Sequence, residues 1–221
     1  GLRLLRLVAR AWQGCGRPQA ALPAVDRLLT EEHAESFPEP WVAAGASVAV
    51  LVGTARSWSA ADTLLLRCRS IAEEVGDEYF AAVSDMLLGY TPENCERVRR
   101  LAHDRGQTYV EYIATIAAAS IAVETDPQAA SAMLENSDLR AAARESRYLR
   151  DFADRTAGRG ALYLGELDRC VAIARELCAS PSLLMAESAV ALLGAAGVLA
   201  GDEAVVSEAA AVAGERLARV P

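Results

Sequence analysis

The chain has 221 residues, of which 52% are hydrophobic and 24% charged, enough to bury a substantial core without metal or disulfide staples and too apolar for intrinsic disorder. All 22 basic residues are arginine, which excludes Schiff-base lysine chemistry, a phosphate-loop lysine and a lysine general base. A net charge of −8 and an odd set of five cysteines without a C-x-x-C pair argue against a polyanion-binding surface over the whole chain and against a secreted disulfide framework. Apolar residues recur at three- and four-residue spacing and no segment sustains two-residue alternation, so an all-helical fold is expected. Leu2, Leu4, Leu5, Leu7, Val8, Ala11 and Trp12 give a first helix, broken by Gly14, Gly16 and Pro18. A second runs to about Glu35, with Pro23 either kinking it or delaying its start. Further breaks are expected at Phe37 to Pro40, Gly53 to Ser59, Gly76-Asp77, Gly89 to Pro92, Gly106, Asp126-Pro127, Asn136 to Asp138, Gly165, Ser180-Pro181 and Gly201-Asp202. About twelve helices of ordinary length result. Trp41 to Ala55 is short for a bilayer span, and Leu183 to Ala200 contains Glu187 and is built from Ala and Gly, so both read as buried helices and no membrane span is expected.

A repeat underlies these helices. Hairpin turns set near Gly16, Arg56, Tyr90, Thr125, Gly165 and Gly201 recur at roughly 34 to 40 residues. Seven positions before each turn stand Ala9, Ala49, Val83, Ala118, Gly158 and Gly194; five after it stand Ala21, Ala61, Cys95, Ala130, Cys170 and Val206. Small side chains at these points let the helices of one hairpin, and the next hairpin stacked on them, approach closely.

The clearest unit, GRGALYLGELDRCVAIAREL from Gly158 to Leu177 followed by Pro181, resembles the tetratricopeptide repeat, although Ala161 here and Gly197 in the next unit stand where that family carries an aromatic residue. The resemblance implies one domain over 1–221: a right-handed all-α superhelix of about six antiparallel hairpins, a TPR-like α-solenoid, with hairpins near 1–36, 40–76, 77–106, 107–137, 139–180 and 181–221. In the family, first helices line a concave ligand face. The corresponding positions here include Arg3, Arg6 and Arg10 in the first unit, Phe80 in the third, Tyr112 in the fourth, and Phe152, Arg155 and Arg159 in the fifth, with Arg155 and Arg159 the preferred site. Arginine can clamp an oxyanion bidentately while Phe and Tyr supply contact area, which suits an extended peptide or an organic ligand bearing a carboxylate or phosphate. The stretches SIAEEVGD, ending at Asp77, and LAGDEAVV, around Gly201, are similar to the repeat regions of LuxR-type and MalT-like actinobacterial regulators, which place an NTPase before the repeats and a helix-turn-helix after them. That similarity implies a sensor or scaffold segment of a longer chain, with a peptide, a protein or a small-molecule inducer as partner in the groove. The odd cysteine set without a secretory signal points to a cytoplasmic location, the acidic charge to no direct nucleic-acid contact, the Ala- and Gly-built apolar stretches to no membrane contact, and an uncapped terminal repeat to self-association.

Catalytic signals are weak. Only His33 and His103 supply imidazole, and Cys170 and Cys178 lie about two helical turns apart with no histidine near them in sequence, so neither a metal nor another cofactor is expected. Cys68, Cys95 and Cys170 fit buried inert thiols, Cys15 an exposed one. Glu31-Glu32 and Glu73-Glu74 read as solvated faces, and no G-x-S-x-G elbow occurs. A non-catalytic binding segment is therefore expected; the alternatives are a stand-alone protein-interaction adaptor of the same fold, or an α-helical enzyme with an unrecognised site.

Overall fold

Helix follows helix through the computed structural model, which describes residues 1–14 and 18–217 and contains no strand among them. The elements are α1 (Leu2–Gly14), a 3-10 turn (Pro18–Ala21), α2 (Leu22–Leu28), α3 (Glu31–Ser36), α4 (Pro38–Ala55), α5 (Trp58–Glu74), α6 (Glu78–Leu88), α7 (Pro92–Asp104), α8 (Thr108–Ala122), α9 (Pro127–Leu134), α10 (Ser137–Glu145), α11 (Arg147–Tyr163), α12 (Leu167–Cys178), α13 (Leu183–Ala200) and α14 (Glu203–Leu217).

Prolines and short polar side chains set where these helices begin. Pro23 occupies the opening turn of α2, so it delays that helix rather than kinking it, because a missing N–H is harmless there. Pro92 and Pro127 open α7 and α9 in the same way. Thr91 Oγ1 caps the first, accepting from the Asn94 N–H at 3.1 Å, and Asp126 Oδ1 caps the second, accepting from the Ala129 N–H at 2.9 Å. Thr30 caps α3 through the His33 N–H at 3.3 Å, which places Glu31 and Glu32 in a first turn, at the positive end of the helix dipole. The Ser146 hydroxyl accepts from the Leu149 N–H at 3.4 Å and divides α10 from α11, a break absent from the sequence pattern.

Four of the turns share one C-terminal design. Gly76, Gly106, Gly165 and Gly201 all have positive φ, and the residue after each returns its N–H to the carbonyl five residues back: Asp77 to Ala72, Gln107 to Ala102, Glu166 to Ala161 and Asp202 to Gly197. This is the Schellman arrangement, which satisfies the last carbonyls of a helix and is open to glycine without strain.

The chain forms two compact units, Gly1–Ala114 and Thr115–Pro221. Within the first, α1 and α5 pack on α4, α6 on α4 and α5, and α7 on α6. Within the second, α9 and α10 pack on α11, α12 on α11 and α13, α13 also on α11, and α14 on α13. The result is helical-repeat-like, since contacts join sequence neighbours and every second helix. Of the twelve small positions, Ala9, Ala21, Ala49, Ala61, Val83, Cys95, Ala130, Gly158 and Cys170 are buried and Ala118, Gly194 and Val206 half-buried. The apolar stretches also find their explanation. In α4, Trp41, Val48, Leu51 and Val52 are buried in the core of the first unit with Leu2, Leu5 and Ala9 of α1 and Cys68 and Ile71 of α5. In α13, Leu192, Leu193 and Ala196 join Cys170, Ala174, Val205 and Ala209 in the second. Apolar on all sides, α4 fits inside such a core, whereas α13 is buried only in part and leaves Leu183, Val198 and Leu199 exposed. Among the described residues α13 is the one helix long and apolar enough to cross a membrane.

Candidate functional site

In the first unit, residues of α1, α6 and the turn before α8 converge. Arg6 Nη2 donates to Gln107 Oε1 at 3.3 Å, across 101 residues of sequence, and its guanidinium lies 5.8 Å from the centre of the Phe80 ring. Phe80 meets Tyr79 edge-on at 4.9 Å between centroids. Arg105 stacks over Tyr79 at 4.9 Å and pairs with Asp77 at 3.1 Å. The same Asp77 carboxylate caps α6, accepting from the N–H groups of Tyr79 (3.1 Å) and Phe80 (3.3 Å). Asp77 is thus matched by Arg105 and two amides, whereas the described partners of Arg6 are a neutral amide and a ring. Donors and an aromatic face therefore lie side by side, an arrangement able to receive an oxyanion with an apolar body.

Of the expected site residues, Arg6 and Phe80 are brought together here. Arg3 is exposed on α1, Tyr112 is buried on α8, and the side chain of Arg10 lies outside the described residues, as does Cys15. In the second unit Phe152 is buried beside Tyr148, with ring centroids 6.3 Å apart, and Arg155 is half-buried one turn further along α11. Arg159 is engaged within the unit: Nη1 donates to the Ser120 carbonyl (3.3 Å) and hydroxyl (3.0 Å), and Nη2 to Glu124 Oε1 at 2.7 Å. Gln107, Tyr79 and Arg105 were not singled out by the sequence pattern. A signal for Gln107 existed, because a polar residue follows the positive-φ glycine at each of the four Schellman turns.

A second polar group in the second unit has a structural task. The Ser180 hydroxyl donates to Asp151 Oδ2 at 2.5 Å and accepts from the Ser182 N–H at 3.2 Å, while Arg147 donates to the Ala179 carbonyl at 2.8 Å, so α11 clips the turn between α12 and α13. Both histidines precede this unit, so the Ser180–Asp151 pair has no imidazole within it to act as a base. Nearby, burial raises the Asp154 carboxyl to about 6, helped by the charges of Asp151 and Glu176 and opposed by Arg150. Burial pushes the Cys68 thiol up to about 12 and Cys95 to about 11, and raises Cys170 and Cys178, so these sulfurs are poor nucleophiles. Among the described residues no group of three or more His, Cys, Asp or Glu side chains could hold a metal ion. The α13–α14 turn carries an open groove of about 420 Å³ edged by Val198, Asp202, Glu203 and Val206.

Glu31, Glu32, Glu73 and Glu74 are all exposed, as expected of solvated faces, and three of them also have partners. Glu31 receives Arg67 at 2.7 Å, Glu73 receives Arg69 at 3.0 Å, and Glu74 accepts from the Ser70 hydroxyl at 3.1 Å. Comparison of the chain with protein-family models, with curated proteins and with solved structures returned no match.

Proposed function

We propose that the chain is a ligand- or protein-binding segment, the sensor or scaffold portion of a LuxR-type bacterial regulator, built as a cytoplasmic right-handed superhelix of tetratricopeptide-like hairpins and acting without catalysis. The observation that carries this reading is the meeting of Arg6 with Phe80 and Gln107, because it draws a cation, an aromatic face and an amide from three separated parts of the chain onto one surface. Packing of α1 on α4, α4 on α6 and α11 on α13 supports it, since a shared first-helix face requires those contacts. The raised thiols of Cys68 and Cys95 are consistent with a binding rather than a covalent role.

The test is the native reading frame on either side of Gly1 and Pro221, followed by a thermal-shift screen of organic acids on the protein and on Arg6→Gln. A phosphate-binding loop upstream, a basic helix-turn-helix downstream and ligand-dependent stabilisation lost in Arg6→Gln are the expected results. A frame with neither flanking motif overturns the regulator assignment and makes the chain an interaction adaptor.

A further inference from the structure

Charge is distributed unevenly along this chain. Four of its 22 arginines and none of its 30 acidic residues precede Asp26, although the whole carries −8. Arg3, Arg6 and Arg10 recur on α1 at the spacing of one helix edge. Beside that edge runs an apolar stripe at i, i+3 and i+7: Leu4 and Leu7 are 63% and 71% exposed, and Ala11 is exposed with them. The opposite face, with Leu2, Leu5 and Ala9, is already committed to the core. So α1 has two apolar faces, one used and one flanked by cations. Elsewhere in the same unit Arg56, Arg67, Arg97 and Arg105 each hold a carboxylate, while Arg6 is described only with Gln107 and Phe80.

We propose that the outer face of α1 is a docking surface for an acidic amphipathic helix of a partner protein, which lays its apolar side on Leu4, Leu7 and Ala11 and directs carboxylates to Arg3 and Arg6. Apolar anchors at i, i+3 and i+7 are the spacing by which helices pack on one another, and the flanking arginines set the sign of the partner. A lipid surface fits less well. An interfacial helix must sink its apolar face roughly 5–10 Å into the bilayer, and α1 is held by the core on its other side in a protein whose net charge repels anionic headgroups. The inference rests on reading the chain as a binding segment, and its test is run on the full-length native protein, where a preceding segment already seated on Leu4 and Leu7 would block the peptide and overturn the proposal.

The probe is a fluorescein-labelled peptide of three Leu-Ala-Gln-Glu-Leu-Ala-Glu repeats, titrated by anisotropy against the protein at low and high salt, with an all-Gln version as control. Saturable binding, weakened by salt and by about tenfold or more in the Gln peptide, is expected. Arg3→Gln and Leu7→Glu should each weaken it by about tenfold, whereas Val198→Glu, on the exposed end of α13, should leave it unchanged. Circular dichroism of the variants separates lost binding from lost folding, and Leu7 is exposed enough for its variant to fold. Absence of saturable binding, or binding indifferent to Arg3→Gln and Leu7→Glu, overturns the proposal. So does sedimentation with phosphatidylserine vesicles that the peptide cannot displace, or self-association of the protein that Leu7→Glu abolishes, since either assigns the face to another occupant.

Discussion

Asp154 carries a carboxyl whose ionisation is opposed by its surroundings. Its carboxyl titrates at about 6 in the folded chain, above its ordinary 3.8, because burial and the neighbouring Asp151 and Glu176 disfavour the charge. A carboxyl raised by folding binds its proton more tightly in the native state, so its contribution favours the fold at acid pH and is lost as pH rises from about 4 through 6. Partial solvent screening keeps the effect near ~1–2 kcal/mol. Asp154→Asn should therefore raise the melting temperature at pH 7.5 and lose that advantage near pH 4, which thermal melts across the range will check. Arg159 belongs to the same scale. Its bonds to both oxygens of Ser120 make Arg159→Ala cost about 1–2 kcal/mol in urea denaturation, more than Glu124→Gln, whose carboxylate is 61% exposed and worth at most about 1 kcal/mol.

At the scale of helices, the close contact of α4 and α5 depends on what is missing from Gly45. A Cβ there would lie 2.6 Å from Cys68 Sγ and 3.4 Å from Leu64 Cδ1. Gly45→Ala is expected to destabilise the protein by ~1–3 kcal/mol despite the better helix propensity of alanine. Combined with Cys68→Ala, the total loss should fall short of the sum of the two single losses, because removing the sulfur opens the space; strict additivity in a double-mutant cycle would remove this account. Helix boundaries were largely legible in the sequence. The turns expected near Arg56, Tyr90, Thr125, Gly165 and Gly201 all fall between helices, while Gly16 lies outside the described residues. They were legible because glycine, proline and capping residues act locally. Ser146 escaped notice since a lone serine among helix formers is a weak signal until its hydroxyl is seen on the Leu149 N–H. The site was less legible for a related reason. Helical spacing marks Arg6 and Phe80 as face residues, but neither the pairing with Gln107 across 101 residues nor the hold of Ser120 and Glu124 on Arg159 is written in local sequence.

Across the whole molecule, the buried thiols report on each unit separately. Cys68 and Cys95 belong to the first and Cys170 to the second, and all three are buried. Pulsed thiol labelling through a urea titration should expose Cys68 and Cys95 at a common midpoint, with Cys170 following the midpoint of its own unit and half-buried Cys178 reacting earliest. Different midpoints for Cys68 and Cys95 would show that the first unit does not open as one. Within each unit much of the packing joins consecutive helices, α4 with α5 and α5 with α6 in the first, α11 with α12, α12 with α13 and α13 with α14 in the second, and this has a mechanical meaning as well. Under tension, a unit packed in this way yields hairpin by hairpin rather than at one brittle seam. Each released hairpin lengthens it by on the order of 100 Å. Each unit should therefore lengthen in steps under load, one hairpin released while the rest stay folded, a sawtooth that single-molecule pulling would record.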